Sequence, residues 1–292
     1  MNRPYPTLPP APEDRGRVTV RFAGRAAAIE CADQALYQRV SMLLRHCQAD
    51  DRERAPTQDV DTFEIRPDGD LVWLLTRNDS IVGRGFLAND VVQRVVYEVT
   101  VALATGCRDL LVIHGAGVSQ EDEGILLCGE SGCGKSTLTT RMLADGFDFL
   151  SDEIVAIASD GRMMTGFPRA IALKDTVALG TLWPGRASAL AWPSDNQAYF
   201  DPEWVRPGSV RYRATPHALV FPRYLAGAPV ALRAMSRAET VYRLMHRLVN
   251  GESLPGRGFQ AVTQLARAIP ACDLSYPDAL EALKKLEELV RV

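Results

Sequence analysis

The stretch Gly124-Ile-Leu-Leu-Cys128-Gly129-Glu130-Ser131-Gly132-Cys133-Gly134-Lys135-Ser136-Thr137 decides the reading of this chain. Its opening is a short apolar run of the kind a buried strand shows. Gly129 to Ser136 then satisfy G-x-x-x-x-G-K-[ST], and a helical pattern runs from Ser136 to Ala144. Each part has a physical reason. Glycines let the backbone turn tightly, so that successive N–H groups point inward at phosphate oxygens. A helix N-terminus adds unpaired donors and a partial positive charge. Lys135 is a point charge suited to β- and γ-phosphates, and the Ser136 hydroxyl suits Mg²⁺. Gly129 to Thr137 are therefore the expected nucleotide-binding residues.

Working outward, Asp109-Leu-Leu-Val-Ile113 reads as a second buried strand, ending at His114 before a turn at Gly115-Ala-Gly117. Downstream, the acidic pair Asp152-Glu153 follows Phe147-Asp-Phe-Leu-Ser151, a broken apolar run. That pair lies too close to Lys135 for the acidic strand end of ATP-driven motors. No Leu-Ser-Gly-Gly-Gln signature and no Asn-Lys-x-Asp guanine reader is present, which argues against a transporter ATPase or a GTPase. Strand character resumes at Ile154 to Ile157, with a turn at Asp160-Gly161.

The flanks are less informative. Five prolines within residues 1–16 mark a flexible leader without the apolar core of a secretory signal. Residues 17–88 read as a small α+β lobe, with strands at Val18–Phe22, Thr62–Arg66 and Leu71–Leu75, a helix over Asp33–Cys47 and a charged connector at Asp50–Pro56. Residues 89–292 read as the nucleotide-binding domain, opening on a helix at Asp90–Ala104. Its later part holds an irregular stretch from about Pro184 to Pro216, a candidate acceptor-sensing flap, and helices at Arg237–Val249, Phe259–Ala268 and Pro277–Val290.

Acidic residues outnumber basic ones by 36 to 33, so the overall charge makes no case for nucleic acid or anionic membrane as partner. Apolar runs fall far short of a membrane span. Six cysteines without a C-x-x-C pair point to neither a disulfide framework nor zinc, and a reduced cytoplasm is the expected compartment.

His114-Gly115, the loop Gly129–Ser136 and Ser151-Asp152-Glu153 together resemble the HPr kinase/phosphorylase family and its related kinases. The separations between histidine, loop lysine and acidic pair match, and "LADGFDFLSDEIV" is similar to the family's helix end, glycine turn and acidic strand. The likeness covers roughly Leu111 to Lys174. It implies an α/β fold with the mixed-sheet phosphate-loop core shared with phosphoenolpyruvate carboxykinase, ATP and Mg²⁺ as cofactors, and a homo-oligomer. This chain has Glu153 where the family has aspartate. It has no counterpart of the downstream signature used for phosphorolysis. In these respects it resembles relatives that phosphorylate a serine on a precursor peptide.

The resemblance implies roles residue by residue. Asp152 is the catalytic base, since a hydroxyl is a poor nucleophile until a carboxylate orients it and takes its proton. Glu153, with Ser136, holds the metal. His114 and Lys135 reach the transferring phosphoryl group. Arg169 and Lys174, flanking a short strand, are candidate cations for phosphate or an anionic substrate. Arg211, Arg213 and His217 are further candidates without a spacing argument. The expected activity is transfer of the γ-phosphoryl group of ATP to a serine hydroxyl of a peptide or small protein. A small-molecule kinase, a carboxykinase-like enzyme and a non-catalytic nucleotide-binding regulator are the alternatives.

Overall fold

The computed structural model describes residues 16–48, 60–130, 132–174, 192–193 and 197–290. The expected leader up to residue 15, the Asp50–Pro56 connector, Ser131 and most of the Pro184–Asn196 part of the expected flap lie outside these residues.

The chain opens with β1 (Gly16–Phe22), β2 (Arg25–Cys31), α1 (Gln34–Leu43), β3 (Val60–Pro67), β4 (Trp73–Arg77), β5 (Ser80–Phe86) and α2 (Ala88–Gly106). The five strands form one sheet in sequence order. Only β2 and β3 are parallel, and α1 supplies the crossover that a parallel pair needs. The Asp33 carboxylate starts α1 by accepting the Leu36 N–H at 2.9 Å. Helix α2 is rich in valine, a poor helix former. Its buried stripe of Val91, Val95, Val99 and Leu103, packed with Phe63, Ile65 and Leu75, outweighs that propensity.

The remaining elements are β6 (Leu111–Gln120), β7 (Glu123–Cys128), α3 (Lys135–Ala144), β8 (Asp148–Ser151), β9 (Ile154–Ile157), β10 (Met164–Gly166), β11 (Ile171–Leu173), β12 (Trp192–Pro193), β13 (Ala198–Phe200), α4 (Pro202–Val205), β14 (Arg213–Tyr224), β15 (Ala231–Ala234), α5 (Arg237–Met245), α6 (Phe259–Ala268), β16 (Ala271–Tyr276) and α7 (Ala279–Val290). The main sheet runs β10-β9-β6-β7-β14-β16-β15, with β8 also on β6, and β10 meets the start of β14 to close a ring of pairings. Strands β7, β14 and β16 are parallel, and the others antiparallel. Strands β11, β13 and β12 make a small separate sheet. The molecule is thus a mixed α/β structure.

Both faces of the main sheet are covered, which explains the unbroken apolar run of β7. Ile125 and Leu127 pack with Leu138, Met142 and Leu286 of α3 and α7. Leu126 and Cys128 pack with Leu244, Val262 and Leu265 of α5 and α6.

Three local expectations are corrected. Gly115 and Gly117 do not form a turn; β6 runs through them to Gln120, and the turn is Glu121-Asp122, both at positive φ. The glycines serve close approach instead. A Cβ at Gly115 would lie 2.6 Å from the Leu127 carbonyl oxygen, and one at Gly117 3.1 Å from Val155. Helix α5 stops at Met245 rather than Val249, because the following backbone is taken by β6: His114 N–H donates to the Arg247 carbonyl and Val249 N–H to that of Val112, each at 2.8 Å. Finally, the end of the expected flap is the start of β14. That strand carries two prolines, a pattern that reads against a central strand. Pro216 falls at a register irregularity, and Pro222 lies beyond the last pair with β7.

Candidate functional site

Strand β7 ends at Cys128 and α3 begins at Lys135, so Gly129–Gly134 span the carboxyl end of the strand and the helix N-terminus. Gly132 and Gly134 take φ of 84° and 96°, in the left-handed region glycine tolerates. A side chain at Gly134 is excluded as well, since its Cβ would fall 2.2 Å from Tyr276 Oη. Lys135 is only 7% exposed and curls back over the loop, donating to the Gly129 and Glu130 carbonyls at 2.8 and 2.9 Å. Its charge therefore sits inside the loop. Ser136 and Thr137 occupy the first turn of α3, where backbone N–H groups lack helical partners. Cys133 Sγ lies 3.9 Å from Lys135 Nζ and lines a separate cavity of about 440 Å³ on the α5 side.

Asp152 and Glu153 form the two-residue connection between β8 and β9. Ser151 shapes it: its hydroxyl accepts from the N–H groups of Glu153 and Ile154 and donates to the Phe167 carbonyl. Asp152 is 4% exposed. Its Oδ2 accepts the Ala172 N–H at 3.0 Å, while Oδ1 is buried without a hydrogen bond among the described residues. Burial pushes the Asp152 carboxyl up to about 6, against the opposing pull of Arg169. Glu153 reaches Arg169 Nη2 at 2.7 Å with Oε2, and His114 Nδ1 stands 3.6 Å from Oε1. Burial is also the main influence on His114, holding it below its ordinary value and so favouring the neutral ring.

Arg169, a candidate cation for phosphate or an anionic substrate, is clamped between the two carboxylates, with Nε 3.8 Å from Asp152 Oδ1. Its backbone is placed by Gly166, where a Cβ would meet the Leu150 carbonyl oxygen at 2.2 Å, and by Ala170 N–H donating to the Leu43 carbonyl. Gly166→Ala must therefore push β10 off β8. We expect it to cost on the order of 1–3 kcal/mol, measured as a lowered melting temperature. An unchanged melting temperature would show that the contact relaxes freely.

His114, Gly132, Gly134, Lys135, Ser136, Thr137, Asp152, Glu153, Arg169 and Lys174 line a single cleft of about 1120 Å³. Arg211 and His217 do not line it; they pair with Asp148 and Glu123. The cleft has walls that sequence spacing did not reveal. Asp90, Gln93, Arg94 and Tyr97 come from α2, while Tyr199 and Gln197 come from the β13 edge. Gln197 donates to Gln93 at 3.4 Å and also meets the Tyr199 hydroxyl. These residues converge only in the folded chain, so no local signal announces them.

No family model matches this chain, and no curated protein matches it. Among solved structures it is similar to the HPr(Ser) kinase/phosphatase from Coxiella burnetii, at 14% identity and a TM-score of 0.33 over 62% of this chain and 93% of that one. The likeness is distant.

Among the described residues, no group of three or more His, Cys, Asp or Glu side chains is arranged to hold a metal, and no helix is long and apolar enough to cross a membrane. The donor set still suits Mg²⁺. This ion takes one or two protein oxygens and completes its shell with water and substrate phosphates. The Ser136 hydroxyl and the Glu153 carboxylate lie on the same cleft, and the Asp152 Oδ1 atom is left without a hydrogen bond.

Proposed function

We propose that this protein is an ATP- and Mg²⁺-dependent kinase of the HPr-kinase-like type, transferring the γ-phosphoryl group to a serine hydroxyl of a peptide or small protein. One observation carries the reading. The buried Lys135 of a glycine-rich strand–loop–helix and the buried Asp152 carboxylate line the same cleft. The serine acceptor rests on the resemblance of the His114-Gly115, loop and Ser151–Glu153 motifs.

In this mechanism the loop N–H groups and Lys135 hold the phosphates. The acceptor hydroxyl gives its proton to the Asp152 carboxylate as its oxygen attacks the γ-phosphorus; the bond to the β–γ bridging oxygen breaks and ADP leaves. A base near 6 is mostly ionised at neutral pH yet basic enough to take a proton in the transition state. Ser136 and Glu153 would hold Mg²⁺, which supplies charge neutralisation along the phosphates. Neutral His114 can offer a hydrogen bond to a phosphoryl oxygen. Arg169 keeps both carboxylates in place.

Incubation with ATP, Mg²⁺ and candidate peptides, followed by mass spectrometry, should yield a phosphoserine. Rapid ATP hydrolysis indifferent to any acceptor would overturn the kinase reading. Glu153→Gln should raise the Mg²⁺ concentration needed for half-maximal transfer several-fold, because one ligand charge is lost. A Mg²⁺ titration superimposable on that of the parent would remove Glu153 from the metal site.

A further inference from the structure

We infer that Tyr224 is the stacking platform for the nucleoside of the bound nucleotide, an assignment that rests on the nucleotide reading above. Strand order carries it. In the main sheet β7, which delivers the phosphate loop, lies between β6 and β14. The carboxylates Asp152 and Glu153 lie on the β6 side, since β8 and β9 both pair with β6. Tyr224 and Tyr276 are the last residues of β14 and β16, on the opposite side, and they face each other in register. The phosphoryl group to be transferred must lie beside Asp152. A phosphate chain laid across the loop toward Ser136 and Thr137 then delivers its nucleoside to the β14 side.

What stands there suits a purine ring. Tyr224 is 52% exposed and borders the same cleft as Ser136 and Thr137. One side of it is braced by Tyr276, edge to face with centroids 5.9 Å apart. Tyr276 is itself buried and tied to the Cys133 carbonyl at 3.4 Å. The Tyr224 N–H donates to the same carbonyl at 3.3 Å, so the platform is fixed to the loop by its backbone while its ring stays available. Asp278 borders the cleft beside it. Its Oδ1 caps α7 by accepting from Leu280 and Glu281, which leaves Oδ2 without a partner among the described residues and suited to ribose hydroxyls.

Calorimetric titration of the full chain in Mg²⁺ tests this, with ATP and inorganic tripolyphosphate as the two probes. Base–aromatic stacking predicts that Tyr224→Ala weakens ATP by about tenfold and leaves tripolyphosphate unchanged, while Tyr224→Phe keeps both affinities. Tyr242→Ala, at a 66% exposed tyrosine lining the separate cavity on the α5 side, should bind both like the parent. Unchanged ATP affinity in Tyr224→Ala overturns the platform alone, as does an equal loss for both probes or a loss confined to Tyr242→Ala. A parent protein that binds neither probe overturns the phosphate-loop reading and this assignment with it.

Discussion

Asp152→Asn should transfer phosphate roughly 10²–10⁴ times more slowly than the parent and yet melt at a higher temperature at pH 8. Both effects come from one property, the burial of a carboxylate that is held near 6. The sign follows from linkage. The folded carboxyl binds its proton more tightly than a free one, whose value is 3.8. Below about pH 4 the side chain is protonated in both states and costs the fold nothing. As pH rises through 6 the ionised, desolvated group weighs against folding, by on the order of 2–3 kcal/mol at the plateau. Asparagine keeps the shape without the charge, and Arg169 retains its 2.7 Å pair with Glu153. The melting advantage should therefore be largest at pH 8 and shrink as pH falls through 6 toward 4. In the parent, transfer should fall with an acid limb near pH 6, as Asp152 takes up the proton it must accept from the hydroxyl. Retained transfer would deny Asp152 the role of base. A variant less stable at pH 8 would show that Arg169 outweighs desolvation.

The burial of Asp152 and its clamp by Arg169 are also where reading the sequence stopped short. The β7–loop–α3 unit was legible because its signals agree: an apolar run covered on both faces, glycines where φ is positive, and a helix pattern from Ser136, one residue after the observed start. Helix α6 was legible to the residue, since Val262, Leu265 and Ala266 mark its buried stripe. Strand β14 was not, because two prolines hide a strand whose prolines fall at a bulge and past the end of β7. Gly115 and Gly117 imitate a turn, whereas sheet crowding is what excludes their side chains. Arg169 was visible as a cation near the site, but its clamp on both carboxylates depends on the path of β10 over β8. The α2 wall was invisible for a further reason. Asp90, Gln93, Arg94 and Tyr97 are the outward residues of a helix whose inward valines dominate its pattern, and an outward face says nothing of what it borders.

Lys135→Ala should weaken ATP binding by roughly 10- to 100-fold, matching the 1.5–3 kcal/mol typical of a hydrogen bond to a charged group, and should slow transfer further. The lysine does two things in this structure. Its ammonium group places the charge within the loop itself, and it donates to the Gly129 and Glu130 carbonyls, drawing the loop around its own tip. Alanine removes both, yet the N–H groups at the start of α3 remain, so residual binding is expected rather than none. Arginine should not restore it. At 7% exposure the loop encloses a slim ammonium, and a planar guanidinium has neither the room nor the geometry to meet two carbonyls and a phosphate. Calorimetry gives the affinity, and far-ultraviolet circular dichroism with thermal melting shows whether the variant is folded. A folded Lys135→Ala protein that binds ATP as the parent does would mean that the loop's resemblance to a phosphate cradle is one of shape alone. A variant that binds about tenfold more weakly but is slowed a thousandfold would place most of the lysine's effect on the charge that develops during transfer, where a fixed cation inside a dry loop is worth most.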